Sequence, residues 1–426
     1  MPTEAPVERV VLVSAPTKDV PAAEAAEHLE ELARLTDTAG AVVVGTIGQR
    51  LDAPHPRLYI GEGKAKELKQ LLEDLDARLA IFDEELSPAQ GKNLEATLDI
   101  RVMDRAELIL DIFATRARSR EAQMQVELAQ LQYMLPRLKR MWTHLTRGGG
   151  IGFRGPGETQ LETDRRLISR RIRDLRGKLK VVSQRRATQR KGRAEMFRAA
   201  LVGYTNAGKS SILRALSGAD VLVEDRLFAT LDAATRQIEL EGGPEVLLTD
   251  TVGFIRKLPH HLVASFRATL EETAEADLLL HVIDASHPSW EEQKDVVEQV
   301  LGDLDMRDHP TLLVFNKTDR LTHAEEELLR ERARAAFVQP AVFISAQSPG
   351  GLEELRTALL NAQRSRRARV RVRIPARDGE ALASVYREGE VLEQAQEGTE
   401  ISLVARVPEA TLGRLRQRAG VVVETA

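Results

Sequence analysis

The chain has 426 residues, 42% hydrophobic and 30% charged, with a net charge of -4. That length exceeds one ordinary core and predicts about two to four domains. There is no cysteine, which excludes disulfides, thiol catalysis and cysteine-based zinc sites and fits a reducing compartment. No run approaches the roughly 18 apolar residues of a membrane span, and the N-terminus lacks the basic region and apolar stretch of a secretory signal. A soluble cytoplasmic protein is the default expectation. The nine histidines show no ligand-like spacing beyond His260 and His261, whose adjacency makes a poor metal pair. Charge is unevenly spread: residues 137–198 hold 19 Lys or Arg against Glu158, Glu162, Asp164, Asp174 and Glu195, a balance of +14 that leaves -18 elsewhere. A basic block in an acidic chain points to a polyanion partner.

The first hundred residues alternate apolar runs with helical patterns. Residues 9–13, 41–47, 79–82 and 100–103 read as strands, and 21–35, 63–75 and 87–98 as helices, which predicts a small α/β domain with a mainly parallel sheet. Two long helical stretches follow. Met124, Leu128, Leu131, Leu135, Leu138 and Trp142 step by four and three, and Leu161, Ile168, Ile172, Leu175, Leu179 and Val182 continue the seam. This spacing predicts helices packed as a coiled coil. Between them, residues 148–157 contain six glycines, so the expected geometry is an antiparallel hairpin with a glycine-rich tip. Pro136 should kink the first helix. A second α/β pattern runs from 196 to about 364. After a basic stretch comes a small α/β unit, with strands expected at 370–374, 400–407 and 420–424 and helices near 379–386 and 410–418. The expected division is 1–115, 116–195, 196–365 and 366–426.

The sequence Gly203-Tyr204-Thr205-Asn206-Ala207-Gly208-Lys209-Ser210 follows the apolar strand 199–202 and precedes a helix, with Ser211 next. This is the context of a phosphate-binding loop, whose backbone N–H groups and helix N-terminus cradle phosphate oxygens. Lys209 is expected to reach the β- and γ-phosphates and Ser210 to ligate Mg²⁺. Asp250 and Gly253, in Asp-Thr-Val-Gly after strand 246–248, are placed to hold Mg²⁺ through water and to sense the γ-phosphate. Asn316, Lys317 and Asp319 end the strand 311–315. The Asp319 carboxylate can accept two hydrogen bonds from the guanine edge, Lys317 can pack along the base, and Ser345 and Ala346 can support it through backbone contacts. Thr230 is the candidate switch threonine for Mg²⁺ and γ-phosphate. Each motif alone also fits an ordinary polar turn or cap. Four in this order, each at the C-terminal end of a strand, point to a GTP site. Phe254 stands where several GTPases carry a water-orienting glutamine, so slow, partner-dependent turnover is expected. Asn206 reads equally as a loop-stabilising asparagine or as the ligand of a monovalent cation such as K⁺.

Residues 148–162 (GGGIGFRGPGETQLE) with Asp164-Arg165-Arg166, residues 250–256 (DTVGFIR) and residues 119–131 (SREAQMQVELAQL) resemble the HflX family of GTPases, as do residues 59–64 and 82–88. The resemblance covers essentially the whole chain, most weakly its first 40 residues and its C-terminal unit. It implies a cytoplasmic, monomeric GTPase that uses Mg²⁺, binds the large ribosomal subunit and its RNA, and dissociates or rescues stalled ribosomes, with the hairpin tip entering the peptidyl-transferase region. Arg147, Arg154, Arg165 and Arg166 are then expected on RNA phosphate and Phe153 stacked on a splayed base, against the plainer reading of arginines solvating a coiled coil. Some relatives also hydrolyse ATP, for which Gly61-Glu-Gly-Lys64 is a candidate contact, or a plain turn. The family usually reads Asp-Pro-Thr-Thr-Arg where this chain has Asp232-Ala-Ala-Thr-Arg236. The competing functions are a GTP-gated RNA-binding protein or RNA chaperone, and a signalling GTPase, which the basic hairpin disfavours.

Overall fold

A computed structural model describes residues 7–141, 156–190, 196–218, 227–240, 245–258, 273–366 and 368–425. Strands β1 (Arg9–Ser14), β2 (Val42–Gly48), β3 (Leu79–Phe82) and β4 (Arg101–Asp104) form one sheet in the order β2-β1-β3-β4, all parallel. Helices α1 (Ala22–Thr38), α2 (Glu62–Asp74) and α3 (Pro88–Leu98) cross between them. Successive β1 side chains point to opposite faces: Val10 and Leu12 pack in one core with Leu32 and Leu35, Val11 and Val13 in another with Leu68 and Leu94. The Gly61–Lys64 segment is the cap and first turn of α2, with Lys64 paired to Glu67.

Helix α4 (Arg105–Arg116), not anticipated from the sequence, leads into α5 (Arg120–Met141), which continues through Pro136. Helix α6 (Pro156–Arg190) follows. The expected seam exists: Leu128, Ile172, Leu175 and Leu179 form a buried cluster, with Met124, Leu131, Leu135 and Ile168 against it, and Arg171 holds Glu127 with bonds of 2.6 and 2.8 Å. The expected tip, with Arg147, Phe153 and Arg154, lies outside the described residues, as does Trp142.

Strands β5 (Phe197–Gly203), β6 (Ala234–Ile238), β7 (Val246–Asp250), β8 (Leu278–Asp284), β9 (Thr311–Asn316) and β10 (Ala341–Phe343) form a six-stranded sheet in the order β10-β9-β8-β5-β7-β6. It is parallel except for β6, which runs antiparallel to β7. The last unit is an antiparallel sheet, β12-β13-β11-β14, of β11 (Ala368–Pro375), β12 (Glu390–Glu397), β13 (Glu400–Val407) and β14 (Val422–Thr425). Its β12 was not expected. Residues 392–396 are exposed, so no buried–exposed alternation marks the strand; backbone pairing with β13 creates it. Among the described residues no helix is long and apolar enough to cross a membrane.

The largest buried cluster is shared between units. It joins Leu32 and Leu35 of α1, Phe113 of α4 and Val126 of α5 to Tyr204, Phe228, Leu231, Phe254 and Ile255. Phe113 meets Phe228 edge-on at 4.6 Å. Beside this cluster Glu84 is buried, and burial, reinforced by Asp83, pushes its carboxyl up from 4.5 to about 7. The neutral acid is thus the favoured folded form. The stability it contributes is complete below its unfolded value and is lost as pH rises through about 7. Glu84→Gln, which keeps an acceptor for the Ala15 N–H, should match the parent in thermal unfolding near pH 4 and melt roughly 1–3 °C higher near pH 7.5. An equal shift at both pH values would show that ionisation is not the cause.

Candidate nucleotide site

The phosphate loop joins β5 to helix α7 (Lys209–Ser217). Gly208 has φ of +99°, and a Cβ there would lie 2.2 Å from Asn316 Nδ2, so only glycine lets the loop close on the base-side strand. Thr205, Asn206, Gly208, Lys209, Ser210, Ser211 and Thr230 line one cleft with Gly253. Lys209 is buried and donates from Nζ to the carbonyls of Gly203 at 3.1 Å and Tyr204 at 2.8 Å. Burial lowers its pKa to about 8, opposed by Asp250. A Cβ on Gly253 would fall 2.9 Å from Thr205 Cα and 3.0 Å from Lys209 Nζ, so this residue packs directly on the loop.

Three side-chain oxygens converge on one side. Ser210 Oγ lies 2.8 Å from Thr230 Oγ1 and donates to Asp250 Oδ2 at 2.6 Å. Asp250 is fully buried, burial raises its pKa, and its Oδ1 has no hydrogen-bond partner among the described residues. A buried carboxylate oxygen without a partner, beside two hydroxyls, is the hard oxygen set that a magnesium ion takes. Thr205 Oγ1 is likewise buried and unpartnered.

On the base side, Asn316 is buried, donates from Nδ2 to Ala207 O at 2.9 Å and accepts from the Ala346 N–H at 3.2 Å. Lys317, at φ +68°, donates to Asn206 O at 2.8 Å and to Asp284 Oδ2 at 2.7 Å. Ser345 Oγ donates to Asp319 Oδ1 at 2.6 Å, which fixes the exposed carboxylate and leaves its other oxygen lone pairs for a ligand. The Ser345 hydroxyl thus meets Asp319, and the Ala346 N–H meets Asn316.

The segment after Asp250 is tied down in ways the sequence did not suggest. Phe254 exchanges backbone bonds with the phosphate loop, its N–H to Gly203 O at 3.1 Å and its O from the Thr205 N–H at 2.7 Å. Its ring is buried in the shared core. The Tyr204 hydroxyl donates to Glu31 of α1 and accepts from the Arg256 N–H at 2.9 Å. Arg256 pairs with Glu27 at 3.3 Å and Glu292 at 2.7 Å, and Lys257 pairs with Asp83. Two residues beyond Thr230, Asp232 accepts from the N–H groups of Arg118 and Ser119 at 3.1 Å and from the Ser119 hydroxyl, capping the approach to α5. Where the family's usual proline and threonine are absent, Ala234 opens β6 opposite Asp250. Of these residues, Tyr204, Asp232, Ser119 and Arg256 lie in motifs the sequence shows, but nothing local signals their partners Glu27, Glu31 and Glu292.

Three family models match the chain: "GTP-binding GTPase N-terminal" over residues 26–114, "GTP-binding GTPase Middle Region" over 116–193 and "50S ribosome-binding GTPase" over 198–317. GTPase HflX of Magnetococcus marinus is 44% identical over 424 residues, covering 98% of this chain and 97% of the relative. The chain belongs to the HflX family of GTPases. GTPase HflX of Escherichia coli is 44% identical over 393 residues, covering 91% of this chain and 92% of that one. The "crystal structure of SsGBP and GDP complex" aligns with 26% identity over 84% of this chain and 99% of the other, at a TM-score of 0.47. As an HflX GTPase the protein binds guanine nucleotide and hydrolyses GTP to GDP and phosphate.

Guanine selection can be tested at Asp319. Asn in its place offers a mixed donor and acceptor, which suits xanthine, whose carbonyl replaces the amino group of guanine. Asp319→Asn should lose GTP by up to roughly 10⁴-fold and gain XTP in a competition assay. Retained GTP preference would remove Asp319 from base recognition.

Proposed function

We propose that this HflX GTPase binds the large ribosomal subunit through its basic helical pair and uses GTP to dissociate or rescue stalled ribosomes. The observation that carries this reading is the bond set from Asp232 to Arg118 and Ser119, because it joins the segment of Thr230 to the start of α5. A change at Thr230 on hydrolysis then reaches a helix that precedes the glycine-rich segment in the sequence. The description of the matching family model, "50S ribosome-binding GTPase", supports the partner. Arg165 and Arg166 lie exposed on α6, as phosphate contacts require.

In this reading Lys209 and the loop N–H groups bind the phosphates, Gly253 senses the γ-phosphate, and Ser210, Thr230 and Asp250 hold Mg²⁺, which supplies charge neutralisation at the phosphates. Asn316, Lys317, Asp319 and Ser345 hold the base. The four-part division at 115/116, 195/196 and 365/366 belongs to the same proposal. The alternative, a GTP-gated RNA-binding protein without splitting activity, shares the basic surface and differs only in outcome.

Sedimentation of ribosomes with GTP separates the two. Subunits should appear in a GTP-dependent manner. The pair Arg165→Glu and Arg166→Glu should weaken large-subunit binding about ten-fold and reduce splitting, with intrinsic hydrolysis unchanged. RNA binding without dissociation would favour the alternative. Asn206 adds a cation candidate: turnover should be faster in K⁺ than in Na⁺ at equal ionic strength, and equal rates would leave Asn206 a loop residue.

A further inference from the structure

Thr205 stands where the phosphate loop meets the segment after Asp250. A Cβ built on Gly253 would fall 2.9 Å from Thr205 Cα, 3.0 Å from its Cγ2 and 3.0 Å from Lys209 Nζ, so these three residues meet at one point. Thr205 is more than nine-tenths buried, yet it lines the cleft with Lys209, Ser210, Thr230 and Gly253. Its backbone N–H is already given to Phe254 O at 2.7 Å. Of its two donors, only the hydroxyl is left for a ligand.

That hydroxyl has no hydrogen-bond partner among the described residues. A buried hydroxyl normally has one, because it has given up its bonds to water. Thr251, the other buried threonine of the cleft wall, follows the rule and donates to Leu201 O at 2.6 Å. Thr205 has acids on its α1 side, Glu27 and Glu31, but these bond Ser289, Arg256, Tyr204 and Arg105 instead. What remains for Thr205 Oγ1 is the cleft. The side chain is stiff as well as unpartnered, since it is β-branched and its Cγ2 methyl sits beside Gly253.

We propose that Thr205 is a catalytic residue of GTP hydrolysis, its hydroxyl donating to a γ-phosphate oxygen and accepting from the attacking water. The inference rests on the reading of Lys209 and Gly253 as the residues that meet the γ-phosphate. A hydroxyl carries one donor and two acceptor lone pairs, so it makes both bonds at once. The water oxygen bonds the γ-phosphorus, the bond to the β–γ bridging oxygen breaks with its electron pair left on GDP, and the water proton ends on the phosphate product. Thr205 neither gains nor loses a proton. It holds the water in line and bonds the γ-oxygens while the phosphoryl group transfers. Phe254 leaves this task open, because its ring is buried in the shared core and offers the water nothing.

Single-turnover GTP hydrolysis by the full chain, without ribosomes, tests this with two variants. Thr205→Val keeps the branched shape and removes the hydroxyl, whereas Thr205→Ser keeps the hydroxyl and removes the methyl. Thr205→Val should lower the rate about ten-fold or more, since loss of one transition-state donor costs roughly 10²–10³-fold in a sealed site and this cleft is open to water. Its affinity for a fluorescent GDP, which lacks the γ-phosphate, should stay within about two-fold, and its GDP–aluminium fluoride complex should be weakened. Thr205→Ser should recover most of the rate. A parent-like rate in Thr205→Val overturns the proposal. So do equal losses in Thr205→Val and Thr205→Ser, which would make Thr205 a packing residue of the loop. Gly253→Ala checks the reading beneath it: the added methyl should block hydrolysis, and a parent-like rate there would displace Gly253 as the sensor while Thr205→Val still decides the hydroxyl.

Discussion

Arg105 is among the largest fully buried side chains, and its guanidinium must be neutralised where it lies. Glu31 and Asp83 do so, the latter at 2.6 Å. Neither acid serves Arg105 alone: Glu31 also binds the phosphate-loop tyrosine, and Asp83 also binds Lys257 beyond Gly253. One buried cation thus links α1, the end of β3, the phosphate loop and the segment after Gly253. Buried ion pairs add little net stability over an apolar core, but loss of one partner costs about 3–5 kcal/mol because it strands the other charge. The arrangement is therefore one of alignment rather than of strength. It holds two units in register to within a hydrogen bond.

That register gives the nucleotide site two mechanical outlets. On one side, Phe254 joins its backbone to the phosphate loop and its ring to the core shared with α1, α4 and α5. On the other, Asp232 caps the run into α5 close behind Thr230. Both connections use short-range bonds that break with small displacements, while the packed elements behind them move as bodies. The phosphate loop and the base of the long helices are thereby joined, although they are separate in the sequence.

The phosphate loop, Asp250 with Gly253, and Asn316 to Asp319 were legible because their chemistry is local. A loop that wraps a phosphate with its own backbone needs glycines at fixed spacing, and each of these motifs sits at a strand end that apolar runs announce. The seam of Leu128, Ile172, Leu175 and Leu179 was legible for the same reason, as a period on one face of a helix. By contrast β12 escaped, since an exposed edge strand carries no alternation, and β6 escaped because its five residues become a strand only beside β7.

What the sequence by itself determined is the reaction and its order of parts: a guanine nucleotide site, a long basic helical pair and the α/β units around them. Short-range spacing encodes each of these. Tertiary structure alone decided which acids meet which cations. Glu31 and Tyr204 are 173 positions apart and Glu27 and Arg256 are 229 apart, and at such separations a glutamate in a helix looks the same whether it faces water or a buried hydroxyl. Only the docking of α1 on the phosphate loop distinguishes them, and that docking follows from the shape of the shared core and from the need of Arg105 for two carboxylates.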